Sequence, residues 1–165
     1  MPGSMKIVVS GCSRIAGPWI APQGNGCSRG RHGAPRQLSF GPYNHSGPLS
    51  WTPDGRSILF SGNRSEDWER EPVESEVYAL DVASNAIRAL TDRDGPDAQP
   101  AASPDGRLIA YTGFDDRERS YENAVLYVMD SDGSDRRALT RSLDRSVDAP
   151  VWAADGRSIY VSYDD

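Results

Sequence analysis

Short apolar runs separated by polar turn signals recur along most of the chain. One set of runs reads PLSW, SILF, EVYALD and AIRALT, and the next set reads PAAS, LIAY, AVLYVMD and RRALT. Runs of this length between tight turns predict antiparallel strands joined as a meander. Because the runs do not alternate cleanly between apolar and polar positions, they predict sheets that neighbouring sheets bury on both faces.

The turn signals repeat with a nearly fixed period. Asp54, Asp105 and Asp155 each begin the sequence Asp-Gly-Arg, and they lie 51 and 50 residues apart. A second marker, the Leu-Thr pair at Leu90 and again at Leu139, repeats after 49 residues. Repeated four-stranded units of about this length predict a β-propeller, in which each sheet is called a blade. We therefore predict an all-β fold, a partial β-propeller of about three four-stranded antiparallel blades.

Each Asp-Gly pair is predicted to form the turn between the first and second strands of a blade. Glycine tolerates the positive φ that such a turn requires, and the aspartate side chain accepts a hydrogen bond from the nearby backbone. We interpret these residues as structural rather than functional. They are Asp54, Gly55, Asp105, Gly106, Asp155 and Gly156.

The repeats also carry a family resemblance. The segment SPDGRLIAY with the later LYVMDSDGSDRRALT resembles the TolB-type propeller repeat. The run RQLSFGPYNHSGPLSWTPDGRSILFSGN, with EVYALD after it, more narrowly resembles the propeller of the prolyl oligopeptidase family of serine peptidases, in its acylaminoacyl-peptidase and dipeptidyl-peptidase branch. The resemblance covers about residues 35–165. It implies a TolB-like propeller that restricts access to the active site of an α/β-hydrolase domain and helps to orient the peptide.

A domain boundary is predicted near residue 34. Residues 35–91 and 92–140 form two whole repeat units, and residues 141–165 form a truncated blade. Residues 1–34 are either a degraded partial blade or a disordered N-terminal segment, since KIVVS reads as a strand whereas GNGCSRGRHGAPR has few apolar residues. Because about three blades do not close a ring of the usual four to eight, we expect self-association through the open apolar flanks of the terminal blades.

No catalytic residue is predicted in this chain. A hydrolase nucleophile requires the sequence Gly-x-Ser-x-Gly, and the nearest match, GCSRI at residues 11–15, lacks the last glycine. His32 and His45 lie in segments rich in Gly, Pro and Ser, and we expect them to be solvent-exposed loop residues. The predicted function is a non-catalytic, substrate-gating propeller region whose partners are a peptide or a hydrolase domain. The alternative is a TolB-like protein-interaction module unrelated to peptidase activity.

The composition of the chain limits the kinds of partner and the cellular compartment that we expect. The chain has 24 acidic and 18 basic residues and a formal net charge of −6, so neither nucleic acid nor an anionic membrane is expected as a partner. No apolar run approaches the ~20 residues of a membrane-spanning helix. VSGC, which ends at Cys12, resembles a lipoprotein cleavage box, but the apolar stretch before it is too short. We expect Cys12 and Cys27 to be free thiols and the location to be cytoplasmic, with a periplasmic location as the alternative.

Metal and cofactor sites are not predicted. DRDGPD from Asp92 and DSDGSD from Asp130 place carboxylates at alternate positions, as a calcium-binding loop does. Their glycine is fourth rather than sixth, however, and the distal glutamate of such a loop is missing. Both segments therefore fit turns better.

The acidic residues concentrate in two predicted loops between the second and third strands. Residues 62–76 carry a net charge of −4 and residues 113–123 a net charge of −2, and both loops belong on the face opposite the Asp-Gly turns. Such a surface, with aromatic side chains among the carboxylates, can bind the amino terminus of a peptide through charge and cation–π contact. The alternative is that these are solvated charge runs. The candidate peptide-binding residues are Glu66, Asp67, Trp68, Glu69, Glu71, Asp115, Asp116 and Tyr121.

Overall fold

The structure is a computed structural model, and it describes residues 8–9, 36–117 and 121–163. The regular elements of these ranges are strands, which form two four-stranded sheets and two strand pairs. In chain order the strands are β1 (Val8–Val9), β2 (Arg36–Gln37), β3 (Asn44–Trp51), β4 (Ser57–Asn63), β5 (Glu76–Asp81), β6 (Ile87–Ala89), β7 (Asp97–Ala102), β8 (Leu108–Gly113), β9 (Val125–Asp130), β10 (Arg137–Ala138), β11 (Asp148–Trp152) and β12 (Ile159–Ser162).

Each four-stranded sheet is an antiparallel meander. Strands β3 to β6 follow one another in chain order across the first blade, and strands β7 to β10 do the same in the second blade. The pair β11–β12 forms a third sheet, and β1 pairs with β2 before the first blade. These described sheets do not close into a ring. The prediction of an all-β, partial propeller is therefore confirmed.

Apolar side chains on both faces of each blade form three core clusters. On β4, Ile58 and Phe60 pack with Leu38, whereas Leu59 between them packs with residues of the second blade. Successive side chains of a strand point to opposite faces, so one strand supplies two clusters. This double burial explains why the apolar runs do not alternate with polar residues. The cluster between the two blades contains Leu59, Val77, Leu90, Ile109, Tyr111, Tyr127 and Met129.

The Asp-Gly turns share one geometry. In the first turn, Gly55 has a φ of 68°, and its N–H donates to the carbonyl oxygen of Thr52 at 2.9 Å. The carboxylate of Asp54 accepts hydrogen bonds from the Thr52 hydroxyl at 2.7 Å and from the Arg56 N–H at 3.0 Å. These bonds lower the pKa of Asp54. The structure places the other members of the set in equivalent turns, namely Asp105, Gly106, Asp155 and Gly156.

The Leu-Thr marker fastens the fourth strand of a blade to the third. In the first blade the Leu90 N–H donates to the carbonyl oxygen of Val77, and the Val77 N–H donates to the hydroxyl oxygen of Thr91, both at 2.8 Å. A threonine after the strand thus satisfies a backbone N–H that the short fourth strand leaves without a partner. The second blade repeats both bonds with Leu139, Leu126 and Thr140.

Each first strand contains a bulge that the apolar pattern does not predict. Gly47, Gln99 and Ala149 have φ values of 72°, 55° and 49°, and a proline follows each of them. The strand register shifts at these points. A strand tolerates proline at a bulge because proline cannot donate to the ladder. The first strands therefore begin earlier than the runs PLSW and PAAS, at Asn44 and Asp97.

His45 lies in β3, so the expectation of a solvent-exposed loop residue is wrong for it. The residue is 8% exposed, and its ring packs edge-on against Phe60 with the ring centroids 4.8 Å apart. Its Nε2 atom lies 3.2 Å from Nη1 of Arg64. The bulge at Gly47 lets the strand continue through the Gly-Pro segment, and this continuation is what buries the histidine.

The outward face of the β11–β12 sheet is apolar and exposed. Val151 and Tyr160 pair across the two strands and are 58% and 66% exposed. Ala101 and Ala110 form the equivalent pair in the second blade, where Ala110 is buried in a cluster with Val147. The self-association expected through such open flanks stays a prediction.

The predictions for Cys12, Cys27 and His32 lie outside the described residues. The same is true of residues 1–34, apart from Val8–Val9, which pairs with Arg36–Gln37. The proposed domain boundaries stay predictions. Across the described ranges, no helix is both long enough and apolar enough to cross a membrane.

Candidate binding face

The two acidic loops hydrogen-bond to the same link between adjacent blades. This link, residues 92–96, joins β6 to β7. The Gly95 N–H donates to the Glu74 carboxylate at 2.8 Å, and the Asp116 N–H donates to the carbonyl oxygen of Asp94 at 3.1 Å. Both loops therefore lie on one face, opposite the Asp-Gly turns. We call this surface, formed by residues 64–75, 92–96 and 114–117, the acidic face.

The strands extend further into the two predicted loops than the sequence suggests. Gly62 and Glu76 belong to β4 and β5, and Gly113 belongs to β8. Gly62 and Gly113 face the first strand of their blade at close range. A side chain on Gly113 would approach the carbonyl oxygen of Pro96 to 2.5 Å, so only glycine fits there.

The loop of the first blade is a compact turn that holds its carboxylates in solvent. The N–H groups of Arg70 and Glu71 both donate to the carbonyl oxygen of Asp67, at 2.7 and 3.2 Å. The Asn63 side chain donates to the carbonyl oxygen of Glu71 at 2.7 Å. Trp68 is half-buried at the centre of the turn. The predicted acidic residues of this loop are all exposed, namely Glu66, Asp67, Glu69 and Glu71.

Glu74 joins the two loops, although sequence analysis did not select it. Burial raises the pKa of Glu74, and the negative charges of Asp94, Glu71 and Asp116 raise it further, against the hydrogen bond from Gly95. Glu71 and Asp116 come from different loops, so the structure brings these two predicted residues together around Glu74. The sequence signal was available, because Glu74 belongs to the same acidic run.

The second loop contributes fewer available carboxylates than its sequence suggests. Asp115 is half-buried, and its two oxygens lie 2.9 Å from Nη1 of Arg93 and 3.2 Å from Nη2 of Arg117. Asp116 is exposed, and Tyr121 is 72% exposed. An aspartate shared by two arginines attracts a further cation less strongly than a solvated one.

Arg93 is the centre of a partly buried ionic network at the edge of the acidic face. It forms an ion pair with Asp97, which is 0% exposed, and its Nη1 atom is 2.5 Å from the hydroxyl of Tyr127. The guanidinium carbon also lies 4.4 Å from the centroid of the Tyr127 ring. Burial raises the pKa of Asp97 to about 6, although the charge of Arg93 acts in the opposite direction.

Glu76 lies next to this network at the start of β5. The Thr91 hydroxyl donates a hydrogen bond to its carboxylate and accepts one from the Val77 N–H at 2.8 Å. Burial raises the pKa of Glu76 to about 7, and the charges of Asp97, Glu74 and Asp92 act in the same direction. Sequence analysis counted Glu76 in the first acidic loop and Thr91 in the Leu-Thr marker, and it did not select Asp97.

The chain is similar to two groups of known proteins, one in sequence and one in structure. No family model matches the chain. Dipeptidyl-peptidase 5 of Porphyromonas gingivalis is 26% identical over 132 residues, which make up 78% of this chain and 19% of that protein. The uncharacterized peptidase YuxL of Bacillus subtilis is 28% identical over 112 residues, which make up 68% of this chain and 16% of that protein. The chain thus spans less than a fifth of the length of these relatives.

Among solved structures, TolB from Acinetobacter baumannii superposes with a TM-score of 0.55 at 23% identity, over 76% of this chain and 28% of that one. An identity this low shows the fold alone. The described sheets are blades of a TolB-like propeller. In sequence, this propeller is similar to peptidase-family proteins.

The acidic face of the propeller carries groups that can bind a cation. In the part of the chain that the structure describes, no group of three His, Cys, Asp or Glu side chains could hold a metal ion. His45, the one histidine in that part, directs its Nε2 atom at Arg64. Exposed carboxylates on either side of Trp68 in the first loop suit a positively charged group, which gains from charge and from the aromatic face.

Proposed function

We propose that this chain is a non-catalytic part of a propeller that receives peptides for a serine peptidase of the prolyl oligopeptidase family. Sequence similarity to dipeptidyl-peptidase 5 supports the peptidase context. The observation that carries the proposal is the meeting of two acidic loops on one link between adjacent blades, around Glu74. A propeller that gates access to a hydrolase needs a face that contacts the incoming peptide, and the acidic face has the charge for that role.

The proposed ligand is the positively charged amino terminus or a basic side chain of a peptide. Glu66, Asp67, Glu69 and Glu71 supply most of the attraction, because Asp115 is already paired with Arg93. Each exposed charge pair is worth ~0–1 kcal/mol, so the peptide is bound weakly and with strong dependence on salt. Weak binding suits a surface over which substrates pass.

Titration calorimetry tests this proposal. In low salt, a short lysine-rich peptide is expected to bind the 165-residue chain, and a glutamate-rich peptide of equal length is not. Replacing the four exposed acids with their amides, as Glu66→Gln, Asp67→Asn, Glu69→Gln and Glu71→Gln, is expected to lower the affinity about tenfold. The matched control removes four charges from the opposite face, as Asp81→Asn, Asp105→Asn, Asp132→Asn and Asp155→Asn, and is expected to leave the affinity nearly unchanged.

The outcomes separate the proposal from its alternative. If both four-residue variants lose the same affinity, the attraction depends only on the net charge of the protein. The acidic face would then not be a binding site. Binding to a folded protein partner that ignores all eight substitutions would instead favour the TolB-like interaction module. Hydrolysis of a chromogenic dipeptide by the purified chain, blocked by a serine-reactive inhibitor, would overturn the non-catalytic part of the proposal.

A further inference from the structure

A hydroxyl meets two carboxylates, one half-buried and one buried, where the first and second blades touch. Ser75 and Pro96 form a parallel bridge between the blades, and Glu76 and Asp97 are the residues that follow them. The Asp97 N–H donates to the carbonyl oxygen of Ser75 at 2.7 Å, and the Ser75 hydroxyl donates to the carbonyl oxygen of Asp97 at 3.1 Å. We call this contact the first seam. The Thr91 hydroxyl lies beside both carboxylates.

We propose that Glu76, Thr91 and Asp97 form a proton-controlled latch at the first seam. With a proton on Glu76 the latch is closed and the blades are held together here. Without that proton, two carboxylates compete for one hydroxyl, and the seam opens more often. This inference does not depend on peptide binding.

The two carboxylates compete because the Thr91 hydroxyl has only one proton to donate. A threonine hydroxyl has one O–H to donate and two lone pairs with which to accept. One lone pair already accepts from the Val77 N–H. When Glu76 is ionised, the single O–H is given to it, and among the described residues the Oδ2 atom of Asp97 has no hydrogen-bond partner. A buried acceptor without a partner destabilises the structure around it.

A proton on Glu76 completes the network. The carboxyl O–H of Glu76 can then donate to the second lone pair of the Thr91 hydroxyl oxygen. The hydroxyl proton of Thr91 becomes available to Asp97, which is paired with Arg93. Each of the three polar groups then has a partner, and one negative charge has been removed from the half-buried Glu76.

The surrounding charges favour uptake of this proton. Arg93 divides its charge between Asp97 and Asp115, and Arg136 is paired with Asp92 at 2.6 Å. Burial and the neighbouring carboxylates raise the pKa of Glu76 to about 7, and burial raises the pKa of Asp97 to about 6. These values belong to the coupled pair. The groups that face the two carboxylates are Glu74, Asp92, Arg93, Tyr78, Tyr111, Tyr127 and Arg136.

The contact between the second blade and the β11–β12 sheet is equivalent to the first seam and serves as its internal control. We call this contact the second seam. The Val147 N–H donates there to the carbonyl oxygen of Ala124 at 3.0 Å, as Asp97 does to Ser75. Thr140 repeats the bond of Thr91, by accepting from the Leu126 N–H at 2.9 Å. Valine stands at both carboxylate positions, as Val125 and Val147, so the carboxylate pair of the first seam has no counterpart at the second seam.

Hydrogen exchange of single amides tests the latch in the full 165-residue chain. After correction for intrinsic exchange, opening at the Asp97 N–H is expected to increase about tenfold or more between pH 5.5 and pH 8, which corresponds to one or more pKa units of linkage. The sign follows from the raised pKa of Glu76, because stabilisation is present below its unfolded value of about 4.5 and is lost as the pH rises through about 7. Opening at the Val147 N–H is expected to stay constant.

The variant Glu76→Gln fixes the closed state, because its amide N–H can replace the carboxyl O–H. The rise in opening at Asp97 between pH 5.5 and pH 8 is expected to become clearly smaller in this variant, with only the titration of Asp97 itself remaining. The exposed control Glu66→Gln is expected to behave as the wild type. If the rise at Asp97 is as large in Glu76→Gln as in the wild type, or if wild-type opening does not change between pH 5.5 and pH 8, the latch is refuted.

A second measurement needs no variant to fold. The side-chain carboxyl carbon of Glu76, followed by NMR in the wild-type chain, is expected to titrate with a midpoint displaced upward toward about 7. A midpoint near the ordinary glutamate value of about 4.5 would overturn the latch, whatever the exchange data show.

Discussion

The first seam is held by charges, whereas the second seam is held by apolar side chains. Asp97 begins the first strand of the second blade and pairs with Arg93. Val147 occupies the equivalent buried position, in the cluster that it forms with Ala110, Leu126 and Val128. The backbone bonds on either side are the same. The fold therefore does not require an ion pair at this position. The charges of the first seam are a local feature added to a scaffold that accepts valine.

In the first blade, a third type of side chain occupies the position equivalent to Asp97 and Val147. His45 pairs with Gly62 across β3 and β4, as Asp97 pairs with Gly113 across β7 and β8. The histidine is satisfied by Arg64 and by the ring of Phe60. Aromatic, ionic and aliphatic side chains thus fill one repeated site, and the glycine opposite makes room for the two polar ones.

The largest expected effect comes from breaking the ion pair of the first seam. Arg93→Ala leaves Asp97 buried without its partner, which is expected to lower the free energy of unfolding by about 3–5 kcal/mol at pH 8. The double variant Arg93→Leu with Asp97→Val copies the apolar character of the second seam, and it is expected to remain within about 1 kcal/mol of the wild type. Urea unfolding measures both.

Arg88→Ala is the matched control for this prediction. The Arg88 side chain is exposed and donates to the carbonyl oxygen of Asp132 at 2.7 Å, so its removal is expected to cost no more than about 0.5 kcal/mol. A single Arg93→Ala variant as stable as Arg88→Ala would mean that Asp97 is neutral or hydrated, and the contrast between the seams would lose its basis.

A smaller effect is expected from removing the threonine at each seam. Thr91→Val deprives the Val77 N–H of its acceptor in a buried site, which is expected to cost about 1–3 kcal/mol. Thr140→Val makes the same change at a more exposed site, where water can replace the hydroxyl, and is expected to cost about 0.5–1 kcal/mol. Equal costs, measured by urea unfolding, would show that the two seams do not differ in their access to water.

The repeated parts of the fold were predictable because each carries a local signal. Asp-Gly requires a tight turn wherever it occurs, and three copies in register predict three equivalent hairpins. The prolines after Gly47, Gln99 and Ala149 carried a signal for the bulges as well, since proline inside a strand indicates a bulge. A further copy of the Leu-Thr marker, Leu38 with Ser39, was overlooked because serine replaces threonine, although both residues are buried.

The first seam was not predictable from the sequence, because its contacts join residues whose proximity depends on how blades stack. Arg93 and Tyr127 are 34 positions apart and meet only when the second blade packs on the first. In the sequence, Arg93 belongs to an acidic turn that resembles an incomplete calcium loop, and nothing local distinguishes Asp97 from its neighbours. The acidic character of the face was visible in the sequence, whereas the pairing of Asp115 with Arg93 was not.

The smallest expected effect compares the three Asp-Gly turns. Thr52 and Ser103 each donate a hydroxyl hydrogen bond to the turn aspartate and accept one from the backbone five residues later. Ala153 keeps the backbone bonds of this turn but has no hydroxyl. Ala153→Ser supplies one that can donate to Asp155 and accept from the Ser158 N–H, and it is expected to raise the free energy of unfolding by about 0.5–1 kcal/mol.

The neighbouring variant Ala154→Ser is the control, because an exposed serine at that place has no equivalent bond in the other turns. It is expected to change the free energy of unfolding by no more than about 0.5 kcal/mol. The gain in Ala153→Ser is expected in urea unfolding and as slower exchange of the Ser158 N–H, since that group acquires an acceptor. Two results would contradict this prediction: equal stability of the two variants, or exchange of the Ser158 amide at its wild-type rate. Either would mean that a hydroxyl at this position stabilises only the first two turns, and that the third turn gains nothing from one.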